Sequence, residues 1–251
     1  QGVNGGASPV STGGTGGTPP VHSFNSVQGS DRGETIKGTA DDDMIDAKRG
    51  NDTVRGGEGH DHFMGNTGDG NDKYYGEGGD DVFVAARNGG KDLYDGGTGD
   101  DTLDMSAINS AVSVNLTETG KGWAFDGKSY DTLVSIENVH TGSGDDTVYA
   151  STAANHIDTG AGHDTIIFKS AAHANHDVID GFETGDVIDL SSFMKGTITL
   201  VQGETAQAGQ IAWHFDSESG NTEVHGTTRD GTHFDFDIRG DHKLTGTDFG
   251  M

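Results

Sequence analysis

Hydrophobic side chains in the first half of this chain are isolated rather than clustered. From Gly29 the sequence reads in nines: GSDRGETIK, GTADDDMID, AKRGNDTVR and GGEGHDHFM. Then come GNTGDGNDKYY, GEGGDDVFV, AARNGGKDLYD and GGTGDDTLD, two of them longer by two residues, so that eight units end at Asp104. Counted back from each unit's end, the eighth position is always apolar: Ile36, Ile45, Val54, Phe63, Tyr74, Phe83, Tyr94 and Leu103. The sixth is always acidic: Glu34, Asp43, Asp52, Asp61, Asp72, Asp81, Asp92 and Asp101. Alternation over three residues predicts a very short β-strand, with position eight pointing inward and positions seven and nine outward.

The glycine-rich start of each unit predicts a turn, because glycine accepts positive φ and close backbone approach. Two units make one flattened coil, and stacked coils bury a thin ladder of position-eight residues. Such a core cannot offset chain entropy by itself. Each turn also brings a carboxylate and several free backbone carbonyls to the edge, and the next coil repeats the set above it. Hard oxygen donors in that number suit Ca²⁺ rather than a softer metal. Folding and metal binding are then expected to be one event.

Composition sharpens this picture. The chain has 251 residues, 43 of them glycine, only 30% hydrophobic residues and a formal charge of −26. That balance belongs to a disordered chain unless something neutralises the carboxylates. It disfavours nucleic acid and anionic membrane surfaces as partners. The absence of cysteine excludes thiolate metal sites. No apolar run approaches the ~18 residues of a membrane span, so membrane insertion is not expected. Residues 1–28 hold all three prolines and read as a flexible linker or leader. A tether there is the mark of a module that follows something else; the leader of a complete secreted protein is the other reading.

GGEGHDHFM and GGTGDDTLD match the pattern G-G-x-G-x-D-x-U-x and resemble the RTX (repeats-in-toxin, hemolysin-type) calcium-binding family. The resemblance implies a parallel β-roll holding several Ca²⁺ ions between successive turns. It also implies export by the type I secretion machinery to the extracellular space or cell surface. The calcium ligands implied in the first array, residues 29–104, are Asp43, Gly50, Asp52, Gly57, Gly59, Asp61, Gly70, Asp72, Gly79, Asp81, Gly90, Asp92, Gly97, Gly99 and Asp101. GSDRGETIK carries Glu34 in place of Asp, AKRGNDTVR lacks the first two glycines, and two units carry insertions.

Residues 105–140 contain alternating segments such as VSVNL and TLVSI and read as a β connector that continues or flanks the roll. The register returns with TGSGDDTVY, ASTAANHID and TGAGHDTII, a second array that implies Gly142, Gly144, Asp146, Gly160, Gly162 and Asp164 as ligands, with Asn155 a weaker one. The stretch HDVIDGFETGDVIDLSSF (176–193) resembles the end of the roll in serralysin-type protease C-terminal domains and in mannuronan C5-epimerase R-modules. Asp177 and Asp186 there are candidates for a terminal ion. Residues 191–251 read as an antiparallel β cap over an otherwise open sheet end. The tail KLTGTDFGM resembles RTX secretion signals.

No HExxH, GxSxG or phosphate-binding glycine loop occurs. The histidines within the repeats, such as His60, His62 and His163, occupy variable positions that face solvent. The odd-numbered units present Lys37, Arg55, Lys73 and Tyr75 on one face, a candidate contact for an extracellular polysaccharide or ordinary charge balancing. The even-numbered units present Met44, His62, Met64, Val82 and Val84, an apolar face expected to pack against 105–140 or the C-terminal strands. The resulting expectation is an all-β protein, a calcium-bound parallel β-roll with an antiparallel cap, serving a secreted enzyme as a non-catalytic module. A matrix adhesin that holds exopolysaccharide, and a uronan epimerase or lyase built on the roll, are the alternatives.

Overall fold

Alternation over three residues makes a strand only when a neighbouring coil repeats it in register. A computed structural model describes residues 23–65, 70–87, 89–116 and 122–250. The first repeats form β1 (Asn25–Gln28), β2 (Thr35–Lys37), β3 (Asp43–Asp46), β4 (Thr53–Glu58), β5 (His62–Met64), β6 (Lys73–Gly78), β7 (Val82–Val84), β8 (Leu93–Thr98) and β9 (Thr102–Asp104). The middle forms β10 (Ser113–Asn115), β11 (Gly122–Phe125) and β12 (Tyr130–Val134). The second array gives β13 (Asn138–His140), β14 (Thr147–Tyr149), β15 (His156–Asp158), β16 (Thr165–Ile167), β17 (Asp177–Asp180) and β18 (Val187–Asp189). The cap is β19 (Thr199–Gln202), β20 (Gln210–Asp216), β21 (Asn221–Thr227) and β22 (His233–Arg239). The helical turns among the described residues are two short 3-10 segments, Ala171–His173 and Gly246–Phe249.

Two sheets face each other. The first has 12 strands in the order β1-β3-β5-β7-β9-β13-β15-β17-β22-β21-β20-β19. The second has 10, in the order β18-β16-β14-β10-β11-β12-β8-β6-β4-β2. Successive units therefore alternate between sheets, and strands two units apart pair in parallel, as in Ile45 beside Phe63 and Val54 beside Tyr74. The position-eight residues are buried between the sheets. Their larger members stack in columns: Phe63 on Phe83 with centroids 4.7 Å apart, and Tyr74 on Tyr94 at 5.5 Å.

Three features depart from the sequence reading or complete it. Residues 25–28, read as linker, form β1 and pair in parallel with β3; residues 1–22 lie outside the described residues. The connector neither separates two rolls nor lies on a face of one. β13 joins the first sheet between β9 and β15. In the second sheet β12 pairs in parallel with β8, β11 is antiparallel to both its neighbours, and β10 pairs in parallel with β14. One continuous roll results, with an antiparallel insertion on one side. The strands of 105–140 and of the cap extend the sheets edgewise, so among the described residues these strands do not lie over the apolar face of Met44, His62 and Val82. Phe24 packs edge-on against His62 there, with centroids 6.5 Å apart, and burial lowers the pKa of that imidazole.

The cap is antiparallel through β20, β21 and β22. It is not antiparallel throughout: β22 docks in parallel on β17, and β19 runs parallel to β20. Its inner face is aromatic. Phe236 lies against Phe168 at 5.4 Å, and Phe193 meets Phe234 edge-on at 5.1 Å. Phe249 in the tail is buried as well, next to β18.

Candidate metal centres along the roll edges

Each position-six acid sits where the chain leaves a turn and enters a strand, and the stacking of coils places these acids in two columns. In the first column the amide of one aspartate donates to the carboxylate one coil further on. Asp43 N donates to Asp61 Oδ1 at 2.8 Å, Asp61 N to Asp81 Oδ1 at 2.8 Å, and Asp81 N to Asp101 Oδ1 at 2.9 Å. The second column does the same, from Glu34 N to Asp52 Oδ1 and from Asp52 N to Asp72 Oδ1, both at 2.7 Å, and from Asp72 N to Asp92 Oδ1 at 2.8 Å. In the second array Asp146 N donates to Asp164 Oδ1 at 2.8 Å, and Asp164 N to Asp186 Oδ1 at 2.9 Å. Asp146 and Asp164 thus share an edge, as their spacing requires.

One carboxylate oxygen is used in this way, and the other is left over. Asp52, Asp61, Asp81, Asp101, Asp146, Asp164 and Asp177 each bury an Oδ2 with no hydrogen-bond partner among the described residues, and Asp43 likewise buries its Oδ1. Burying an anionic oxygen without a partner is strongly unfavourable. Burial accordingly pushes Asp61 up to about 6, Asp101 and Asp164 to about 7, and Asp81 and Asp177 to about 8. Asp52, Asp72, Asp146 and Asp186 are raised for the same first reason.

The turns supply the remaining donors. A Cβ on Gly70 would run into the carbonyl of Gly50, and one on Gly90 into that of Gly70. Gly59, Gly79 and Gly99 stack identically on the opposite edge, as do Gly142 under Gly160 and Gly144 under Gly162. A Cβ on Gly57 meets the Thr39 carbonyl, and one on Gly97 the Glu77 carbonyl. The result is columns of carbonyl oxygens beside columns of half-satisfied carboxylates. Gly56, Gly76 and Gly96 have a different task. A Cβ on any of them would collide with the unpartnered Oδ2 of Asp61, Asp81 or Asp101, so these first glycines keep that oxygen's surroundings open. The sequence reading gave these first glycines a place in the turn but no part in the metal site.

Hard, oxygen-only donors, a surplus of buried negative charge and backbone packed too closely for a Cβ together fit Ca²⁺. Bound there, the ion would supply the positive charge that the free oxygens lack. The described residues also mark where it would be less well held. Tyr74 donates its hydroxyl to Asp72 Oδ2 at 3.2 Å, and Tyr94 to Asp92 Oδ2 at 3.4 Å. Asn155 is a clearer case. Its amide nitrogen donates to the Glu137 carbonyl at 2.8 Å and to Ser151 Oγ at 2.9 Å, putting an N–H where a cation would otherwise satisfy oxygens. Asp177, which receives the Asn155 amide at 2.8 Å, keeps its free oxygen, whereas Asp186 Oδ2 accepts the Glu183 amide at 2.7 Å.

Two acids of the ladder come from the connector and were not assigned from sequence. Asp92 N donates to Asp131 Oδ1 at 2.9 Å, and Asp101 N to Glu137 Oε2 at 3.0 Å. The signal was present in D-T-L and E-N-V, an acid two residues before a buried apolar side chain, Leu133 or Val139.

Family comparison agrees with this arrangement. Residues 92–250, more than half of the chain, match the model for the peptidase M10 serralysin C-terminal domain. The chain belongs to that family. Ahead of that segment, residues 28–63 and 66–83 match the RTX calcium-binding nonapeptide repeat (4 copies). No curated protein matches the chain.

Lys37, Arg55 and Tyr75 of the candidate glycan stripe lie in register across β2, β4 and β6, and Lys73 is on the same outward face. They are not all free to meet a ligand. The Arg55 guanidinium lies 4.5 Å from the Tyr75 ring centroid and pairs with Glu77 at 2.6 Å. A larger aromatic group continues the same face on the insertion. Trp123 meets Tyr130 at 5.8 Å and Tyr149 at 6.2 Å, Phe125 stacks on Tyr130 at 4.5 Å, and Lys169 lies 4.8 Å from the Tyr149 centroid.

Proposed function

We propose that this chain is the calcium-dependent folding and export module of an extracellular enzyme, without catalytic residues of its own. In this reading it passes the type I secretion machinery unfolded, where Ca²⁺ is scarce, and folds outside, where millimolar Ca²⁺ fills the edges. The observation that carries the reading is the row of buried carboxylate oxygens with no partner. A chain of charge −26 with such a row is unstable until cations neutralise it. Both family matches are of a kind associated with that export route. Circular dichroism during calcium titration, with magnesium as control, tests it. A cooperative gain of β signal with Ca²⁺ alone is expected; a chain equally folded in chelator defeats it.

A second reading, that the module also retains polysaccharide, is favoured by the Trp123, Tyr130 and Tyr149 cluster, since Tyr130 is 59% exposed. Aromatic faces stack on sugar rings, and Lys37, Lys73 and Lys169 offer charge for acidic ones. Binding on a glycan array that is lost in Trp123→Ala supports it, and an array with no hits removes it.

A further inference from the structure

The calcium edges do not use the outer face of the cap. There His214 on β20 lies directly opposite Glu223 on β21, and His225 lies two residues along the same strand. Residue 212, opposite His225, is alanine, so nothing bulky separates the two imidazoles. Their rings lie 5.9 Å apart, with an angle of 21° between planes. Both Nε2 atoms approach one oxygen, Glu223 Oε2, at 3.6 Å from His214 and 3.5 Å from His225. One ligand atom from each residue can be chosen so that all lie within 4.8 Å of one another.

We propose that His214, Glu223 and His225 form a site for a borderline-soft divalent ion of the Zn²⁺ class. Two neutral imidazoles and one carboxylate are the donors such an ion selects, and Ca²⁺ avoids nitrogen. Ligands about 2.1 Å from a tetrahedral ion stand roughly 3.4 Å apart, close to the spacing found here. The side chains are about one-third exposed, 26%, 31% and 34% for His214, Glu223 and His225, so an ion has a route in and an open position facing water.

The neighbouring carboxylates do not compete. Asp235, opposite His225, is held by His176 at 3.1 Å, and Asp237, opposite Glu223, by Asn221 at 3.2 Å. A further histidine–acid contact on this sheet, His156 with Asp180, already has a cation, because Arg239 reaches Asp180 at 3.0 Å. His214 Nδ1 is buried without a hydrogen-bond partner among the described residues. The site thus lacks the acceptor that usually orients a zinc-bound imidazole, and the affinity expected is micromolar rather than nanomolar.

The test uses the full chain in saturating Ca²⁺, titrated with Zn²⁺ in a calorimeter. One micromolar equivalent is expected, weakened at least ~10-fold by His214→Ala, by His225→Ala and by Glu223→Gln. The calcium midpoint of each variant should match the parent, which shows that it has folded. Zn²⁺ uptake that is equal in the parent and in the His214→Ala/His225→Ala double variant overturns the proposal. Co²⁺ gives a reading that needs no variant. An intense visible band from low-coordinate cobalt is expected on the unaltered chain, and only the faint spectrum of hexa-aqua cobalt refutes the site.

Discussion

The roll and the cap are built from the same strands but held by different forces. In the roll each coil buries one side chain per strand and stacks carboxylates against carbonyls, so its stability lies at the edges. Three of the cap's strands, β20 to β22, are seven residues long, and the cap closes over Phe234, Phe236, Ile211 and Val224, all nearly inaccessible. It has no acid ladder. Under the proposed function, one part is conditional on an ion, and the other depends on ordinary apolar burial.

The sharpest way to break that contrast is to remove calcium. In chelator, hydrogen exchange followed by mass spectrometry should show protection lost from β2 to β16, while β20 to β22 exchange more slowly. Uniform loss, or uniform retention, would mean that the two parts share one source of stability. Next in size is Phe236→Ala, expected to cost ~3–5 kcal/mol in denaturant unfolding at saturating calcium. A substitution in the ladder should move the calcium midpoint, whereas this one should leave it nearly in place.

Acidity offers a third lever. The folded carboxyls of Asp61, Asp81, Asp101, Asp164 and Asp177 titrate at about 6 to 8, above the unfolded value of 3.8. The metal-free fold therefore holds more protons than the unfolded chain. Its stability is complete below about pH 4 and is lost as pH rises through 6 to 8. In chelator, β signal in circular dichroism should appear on acidification from pH 8 to 4. With calcium present, lowering the pH should instead weaken ion binding. A chelated chain that is insensitive to pH would contradict the buried ladder.

Two smaller changes sharpen the picture within the roll. Asn155→Asp replaces the inserted N–H with an oxygen, and calorimetry should count one more bound calcium than in the parent. Tyr74→Phe removes the hydroxyl from Asp72 Oδ2 and should shift stability by only ~1 kcal/mol, the net worth of one hydrogen bond.

The repeats were legible because period and chemistry coincide: the residue two before each buried side chain is the residue that reaches the edge. By that rule Asp43 to Asp101, Asp146, Asp164 and Asp177 reach the edges, where they stack in columns. It also covered Asp131 and Glu137, but the turns before them lack the glycine signature, so the pair alone was too short to stand out. Pairing partners were less legible. Nothing in THFDFDIRG says that β22 lies parallel to β17 rather than in a free-standing meander, because docking depends on which strand end the roll leaves unpaired. The second oxygen of each carboxylate was not legible at all, since it became an orphan only when the amide one coil away claimed the first.

Between the levels of β8 and β14 the second sheet holds three strands, β12, β11 and β10, where the first sheet holds only β13 between β9 and β15. Two additional strands at about 4.8 Å each make one face roughly 10 Å longer than the other at that height. Identical turns would stack into a straight rod, whereas unequal strand counts on the two faces call for a bend toward the shorter one. Trp123 and Tyr130 lie on the longer face, on β11 and β12, with Tyr130 exposed, so the added length serves to present these rings.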